Sequence, residues 1–163
     1  MIGEGLAAAI RIRPLTIGDA AAAAGLVRAA FAAQSRATDP PSGALGETTA
    51  SVSAKLAEGG GAGAEADGAL IGVVLWAEKD DALAIGRLSV LPAWRGRGIA
   101  RALLAAAETQ ARRRGLARMT LRVRLALGEN QRLFAGFGFA PAGHGAHPGY
   151  SEPTFVAMEK RFG

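Results

Sequence analysis

Arg95-Gly96-Arg97-Gly98-Ile99-Ala100 lies between a strand-like run, Leu83 to Leu91, and a helix-like run, Ile99 to Arg114. A strand, a short Gly/Arg loop and a helix in that order form a phosphate cradle. Gly96 and Gly98 have no Cβ, so the backbone can come close to a ligand. The first amides of a helix have no partner inside it. With the helix dipole they favour an anion, and Arg95 and Arg97 add positive charge beside them. The segment reads as a pyrophosphate site.

The flanking pattern predicts the rest of the fold. Ile10 to Pro14 reads as a first strand, and Asp19 as the cap of a helix running to about Ala33. Ser35 to Gly43 is polar and proline-rich, a loop, and Ala44 to Glu58 reads as a second helix carrying Glu47. Gly59 to Gly63 reads as a flexible glycine tract. Asp67-Gly68 is a hairpin signal joining a short strand near Ala62 to Ala66 with the apolar strand Ala69 to Glu78. Lys79-Asp80-Asp81 turns the chain back into a fourth strand, Ala82 to Leu91. Gly115 suits the end of the long helix.

From Arg118 to Leu125 the chain alternates: Met119, Leu121, Val123 and Leu125 share one face, and Thr120, Arg122 and Arg124 the other. This fifth strand follows the fourth through a helix, so the two are expected to be parallel with a right-handed crossover. A short helix from about Asn130 to Phe137 and strands at Phe139–His144 and Thr154–Arg161 complete the order β-α-α-β-β-β-α-β-α-β-β. The expected class is α/β (α+β): a mixed, mostly antiparallel sheet with one parallel pair and helices on both faces, in one domain over residues 1–163.

Composition excludes several functions. There is no cysteine, which rules out disulfides, a cysteine zinc site and a cysteine acyl-enzyme, and no metal site is expected. No run approaches the ~20 apolar residues of a membrane helix. Glu4 and the lack of a basic start argue against a signal peptide, so the cytoplasm is the expected location. The net charge is +5, with arginine supplying all but three of the 19 cations. Alanine and glycine are abundant too, as GC-rich coding produces. A basic surface suits an anionic ligand. There is no zinc finger, aromatic-interleaved basic stripe or basic arm, and Arg112-Arg113-Arg114 fits the last turn of a helix, so no nucleic-acid partner is expected.

The glycine loop is neither G-x-x-x-x-G-K-[ST] nor G-x-G-x-x-G, because Arg101 stands where a third glycine would. It is spelled R-x-x-G-x-A, with Arg95, Gly98 and Ala100 in the fixed places. That resembles the acyl-CoA loop of the GNAT superfamily of N-acetyltransferases, Q/R-x-x-G-x-G/A. The whole run Leu88 to Leu104 is similar to that family's strand, loop and helix. Asn130 to Phe139 resembles its N-x-x-x-L-Y-x-x-x-G-F helix, and the element order is the family's too.

The resemblance implies an acetyl-CoA-dependent N-acetyltransferase. It implies a fourth and fifth strand that splay apart, with the pantetheine arm pairing to Leu88-Ser89-Val90. It implies Arg95, Gly96, Arg97, Gly98, Ile99 and Ala100 around the pyrophosphate, and Asn130 hydrogen-bonding the CoA arm. A backbone N–H at Leu88 or Val90 would polarise the thioester carbonyl. The acceptor amine, expected on a small molecule, attacks directly once held about 3–3.5 Å away.

Two departures from the family pattern stand out. Phe134 occupies the place of the usual tyrosine acid, so it can pack against pantetheine but cannot donate a proton. The fourth strand also lacks the glutamate many relatives use as a base. Tyr150 and His147, between the last two strands, and Glu47 are the candidate replacements. Trp76, Trp94 and Phe134 are candidates to shape the acyl pocket. If Arg122 and Arg124 face the cleft, they favour an acceptor with a carboxylate or phosphate. A non-catalytic acyl-CoA sensor, transfer to an aminoacyl-RNA amine, O-acyl transfer and a homodimer stay open on sequence.

Overall fold

The computed structural model describes residues 9–34 and 38–162; the readings that rest on Glu4 and on the loop's start at Ser35 fall outside them. Within them seven strands form one sheet: β1 (Ile10–Pro14), β2 (Gly60–Ala66), β3 (Ala69–Lys79), β4 (Ala82–Val90), β5 (Arg118–Arg124), β6 (Ala140–Gly145) and β7 (Phe155–Arg161). Their spatial order is β1-β2-β3-β4-β5-β7-β6. Every pair is antiparallel except β4–β5. Among the described residues four α-helices flank the sheet: α1 (Ala20–Ala32), α2 (Thr49–Glu58), α3 (Ile99–Arg113) and α4 (Gly128–Gly136).

Alternation along β3 separates two cores. Side chains two apart share a face. Val73 and Leu75 therefore meet α1 and α2 through Leu26, Val27, Val52 and Leu56. Val74 and Trp76 point the other way, to α3 and its Ile99, Leu103, Leu104 and Ala107. Leu103 and Leu104 are fully buried, each contributing roughly 1.5–3 kcal/mol. Helices on both faces follow directly.

Several local expectations are corrected. The helix expected over Ala44–Glu58 is broken. Gly43–Gly46 is a 3-10 turn, Glu47 is extended (ψ 138°), and α2 starts only at Thr49. The cause is a reciprocal cap: the Ser51 amide donates to Thr48 Oγ1 (3.1 Å), and the Thr48 amide donates to Ser51 Oγ (2.8 Å). Glu47 is therefore not on a helix.

Asp19 does not cap α1 with its side chain. Its carboxylate accepts from the Thr16 amide (2.8 Å) and pairs with Arg13 (2.9 Å), closing a 3-10 turn at Ile17–Asp19. Leu125 lies past the end of β5 and is exposed. The tract from Gly59 is not a free linker, since β2 begins at Gly60. A Cβ on Gly59 would stand 1.9 Å from the Trp76 carbonyl oxygen, and one on Gly61 2.5 Å from that of Val74. These glycines are there for close backbone approach.

The feature that positions the site is the wedge between β4 and β5. They pair only at Leu83–Met119 and Ala84–Thr120. Beyond Ala84 the ladder of β4 with β3 shifts register, and Arg87 adopts φ 53° in the irregularity. The bulge turns β4 away from β5, and the edge Gly86–Val90 is left facing a gap.

Candidate active site

One cavity, about 530 Å³, fills that gap on the α3 side. Leu88, Ser89 and Val90 form its strand wall. Arg95, Gly96, Gly98, Ile99 and Ala100 form its loop wall, and Asn130 and Phe134 of α4 close it. Gly98 is the residue before α3 and has φ 79°. Nothing lies within 4 Å of where a Cβ would stand on Gly96 or Gly98. The Ala102 amide is the first to bond back, to the Gly98 carbonyl (3.1 Å). The amides of Ile99, Ala100 and Arg101 are thus free of the helix ladder, at its positive end. An open glycine cradle under three free amides fits a pyrophosphate.

The strand wall is equally explicit. The Leu91 amide donates across to Ile71 (2.9 Å). Backbone groups alternate in direction along a strand, so Ser89 turns to β3 as well, and the amides of Leu88 and Val90 turn to the gap. Ser89 is buried, and its hydroxyl donates to the Arg87 carbonyl (2.9 Å). It lines the cavity without offering a free polar group to it.

Arg95 is a staple. Its Nε donates to the Val90 carbonyl (3.3 Å) and its Nη2 to that of Ala30 (3.2 Å), tying the loop to β4 and α1. Arg97 departs from the expected set: it does not line the cavity, and its guanidinium lies 4.7 Å over the Trp94 ring. Trp94 lines the cavity. Trp76 does not, and packs on Gly60 instead. Phe134 is buried edge-on to Phe139 (5.9 Å) and also faces the gap, so it serves core and cavity together.

A second cavity, about 740 Å³, opens on the other face of the sheet, over β4, β5 and β7. The two share Phe31, Gln34, Leu88, Leu127, Asn130 and Phe134, so they meet through the wedge. Phe31 and Gln34 were not singled out from sequence. Phe31 is in the last turn of α1 and Gln34 just past its end, where the Gln34 amide donates to the Phe31 carbonyl (3.3 Å). Arg87, Arg122 and Arg124 also line this second cavity, and so does His147.

His147 donates its backbone N–H to Thr154 Oγ1 (3.0 Å), and its Nδ1 also contacts that oxygen. The ring stands edge-on to Phe155 at 5.5 Å. Burial, and then the charges of Arg124 and Arg122, push the imidazole below its ordinary pKa. Tyr150 lines neither cavity. It is exposed, and its hydroxyl donates to Asp39 (2.5 Å), which raises its pKa. That bond joins the β6–β7 loop to the segment after α1.

Glu47 also lines neither cavity. It is 2% exposed, accepts from Ser51 Oγ (2.5 Å) and Arg87 Nε (2.7 Å), and pairs with Lys55. Burial opposes its ionisation, but the hydrogen bonds from Lys55, Ser51 and Arg87 prevail and hold its carboxyl down at about 2. A carboxylate so engaged is a poor proton acceptor. It anchors Arg87 at the bulge instead.

The ordinary Glu47 value is 4.5. The stabilisation is therefore complete above about 4.5 and lost as pH falls toward about 2. At one pK unit per ~1.4 kcal/mol it amounts to about 3 kcal/mol. Glu47→Gln is expected to lower unfolding free energy by about that much at pH 7. The gap to the parent should close toward pH 2 in denaturant titrations. A gap that stays constant across pH would remove the electrostatic explanation.

Residues 30–139, more than half of the chain, match the acetyltransferase (GNAT) family. No curated protein matches the sequence. Solved structures do match in fold. The PaiA N-acetyltransferase of Thermoplasma acidophilum, in complex with coenzyme A, superposes with TM-score 0.79 at 18% identity, over 94% of this chain and 99% of that one. YncA of Salmonella typhimurium, with its cofactor acetyl-CoA, gives 0.71 at 21% identity, over 94% of each chain. The ribosomal-protein-S18-alanine N-acetyltransferase of Escherichia coli gives 0.73 at 18%, again over 94% of each. With the wedge, the glycine cradle and the sheet order already in place, this match establishes that the chain belongs to the GNAT family of acetyltransferases.

Proposed function

We propose that this chain works as one domain that transfers an acetyl group from acetyl-CoA directly to the amine of a small acceptor, with both substrates bound at once. The observation that carries this reading is the meeting of the two cavities at the open end of β4–β5, one with an anion cradle and the other with His147. The relatives whose structures hold coenzyme A or acetyl-CoA support the donor.

In this reading the amides of Ile99, Ala100 and Arg101 hold the pyrophosphate, with Gly96 and Gly98 leaving room for it. The amides of Leu88 and Val90 and the Asn130 side chain pair with the pantetheine amides, and Phe134 packs beside them. One strand amide also donates to the thioester carbonyl oxygen as negative charge develops there. With Nδ1–H donating to Thr154, His147 keeps the Nε2 lone pair and accepts the proton of the attacking amine. The electron pair of the broken C–S bond leaves on sulfur. Phe134 cannot protonate it, so CoA departs as thiolate and takes its proton from solvent. Tyr150 holds the loop that carries His147, and Glu47 positions Arg87.

The test is thiol release from acetyl-CoA with pooled amines (amino acids, polyamines, aminoglycosides, peptides) at pH 7 and 9. Acceptor-dependent release is expected. Phe134 favours a second reading, a non-catalytic acyl-CoA binder. Tight acetyl-CoA binding with no release from any pool would select that reading instead.

A further inference from the structure

The floor of the second cavity carries more cationic charge than the protein itself neutralises. Arg118, Thr120, Arg122 and Arg124 are spaced by two along β5 and share its open face. Arg118 pairs with Glu159 (3.6 Å) and donates to the Asp80 carbonyl (2.7 Å). Arg87 is held by Glu47. Arg122 and Arg124 are different: among the described residues, neither has a carboxylate in ion-pair range.

The Arg122 guanidinium lies 4.7 Å over the Phe155 ring. Stacking on the face of a ring leaves the in-plane N–H donors free at the edge. Arg124 is half-buried and bonded to two backbone carbonyls, those of Pro40 and Pro41. These contacts aim it without neutralising it. Burial, with Arg87 nearby, already pushes its pKa down. A cation held in that state is stabilised by an anion that brings its own charge. Two guanidinium groups borne by residues about 7 Å apart along one strand, both lining one cavity, suit an oxyanion with several acceptor oxygens.

The walls limit its size. The Tyr150–Asp39 bond ties the β6–β7 loop to the Pro40–Gly43 segment beside the cavity. A volume of about 740 Å³ falls in the usual range for small-molecule pockets. A further effect favours an amine there. Positive charge nearby disfavours the ammonium form, so a larger share of the acceptor is present as free amine, close to His147.

We propose that the acceptor is a small amine that also bears an oxyanionic group, carboxylate or phosphate, and that Arg122 and Arg124 hold that group. This deepens the acetyl-transfer reading and rests on it for the amine. The binding claim can be tested without turnover.

The experiment measures binding to the CoA-loaded protein by calorimetry, and kcat and KM in parallel. The probes are amino acids with their amides and decarboxylated amines, and phosphoethanolamine with ethanolamine. The acid member of a pair is expected to bind about 10–100-fold more tightly than its neutral counterpart. Arg122→Gln should sharply reduce that preference, with Arg124 still in place, while leaving the affinity for the neutral member and for CoA unchanged. Preference within the amino-acid pairs assigns carboxylate, and preference confined to phosphoethanolamine assigns phosphate. Equal binding of acid and neutral members overturns the proposal, as does a variant that weakens both alike. Charge-selective binding without thiol release would uphold the anion site and sink only the transfer reading.

Discussion

Gly98→Asp is expected to weaken acetyl-CoA binding by about two orders of magnitude or more, roughly 3 kcal/mol, while the protein stays folded. Gly98 has φ 79° and stands immediately before α3, with open space around it. Aspartate enters the left-handed region more readily than most residues, at a cost of about 1–2 kcal/mol. Its carboxylate at the positive end of α3 returns about 0.3–1 kcal/mol of that. Stability should therefore change little.

The ligand fares differently. The new carboxylate occupies the space where the amides of Ile99, Ala100 and Arg101 would meet a pyrophosphate, and repels it. Gly98→Asn separates charge from conformation, since it has nearly the same shape and backbone cost without the charge. The measurements are the calorimetric Kd for acetyl-CoA and the thermal midpoint of each variant. Normal binding by Gly98→Asp would show that the cradle is not the pyrophosphate site. Equal losses in both variants would assign the effect to backbone strain.

His147→Gln should lower kcat by about 10²–10³-fold, within the range for removing a general base, with acetyl-CoA affinity unchanged. His147 lines the second cavity, and its Nδ1 is engaged by Thr154. Burial and the nearby Arg124 and Arg122 lower its pKa. The sign matters: a lowered value keeps the imidazole neutral, and able to take a proton, at pH 7. Activity should fall only as pH drops below the ordinary histidine value of 6.5. Glutamine can still hydrogen-bond but cannot titrate there, so the acidic limb of the pH–kcat profile should vanish. Parallel profiles for parent and variant would remove His147 from the reaction.

Much of this was legible because it is local. Strand alternation from Met119 to Val123, the paired turn residues at Asp67-Gly68 and the strand-loop-helix around Gly98 each depend on neighbours a few residues away. Each reappears in the structure within a residue or two. The departures from the local pattern have local causes too. Thr48 and Ser51 form a cap inside an apparently continuous helical pattern, and the glycines from Gly59 mark crowding rather than freedom.

The sequence by itself determined the fold, the glycine loop before α3 and the lack of cysteine, because periodicity, capping and residue type are written in short windows. Only the tertiary structure decided the roles of the charged groups. Glu47 and Arg87 stand 40 residues apart and meet because the turn before α2 lies against Arg87 at the β4 bulge. The Arg124 and Pro40 partners are 84 apart, and Tyr150 and Asp39 are 111 apart. Which cations are neutralised, and which are left facing a cavity, depends on contacts at those separations, and sheet twist and helix packing set them.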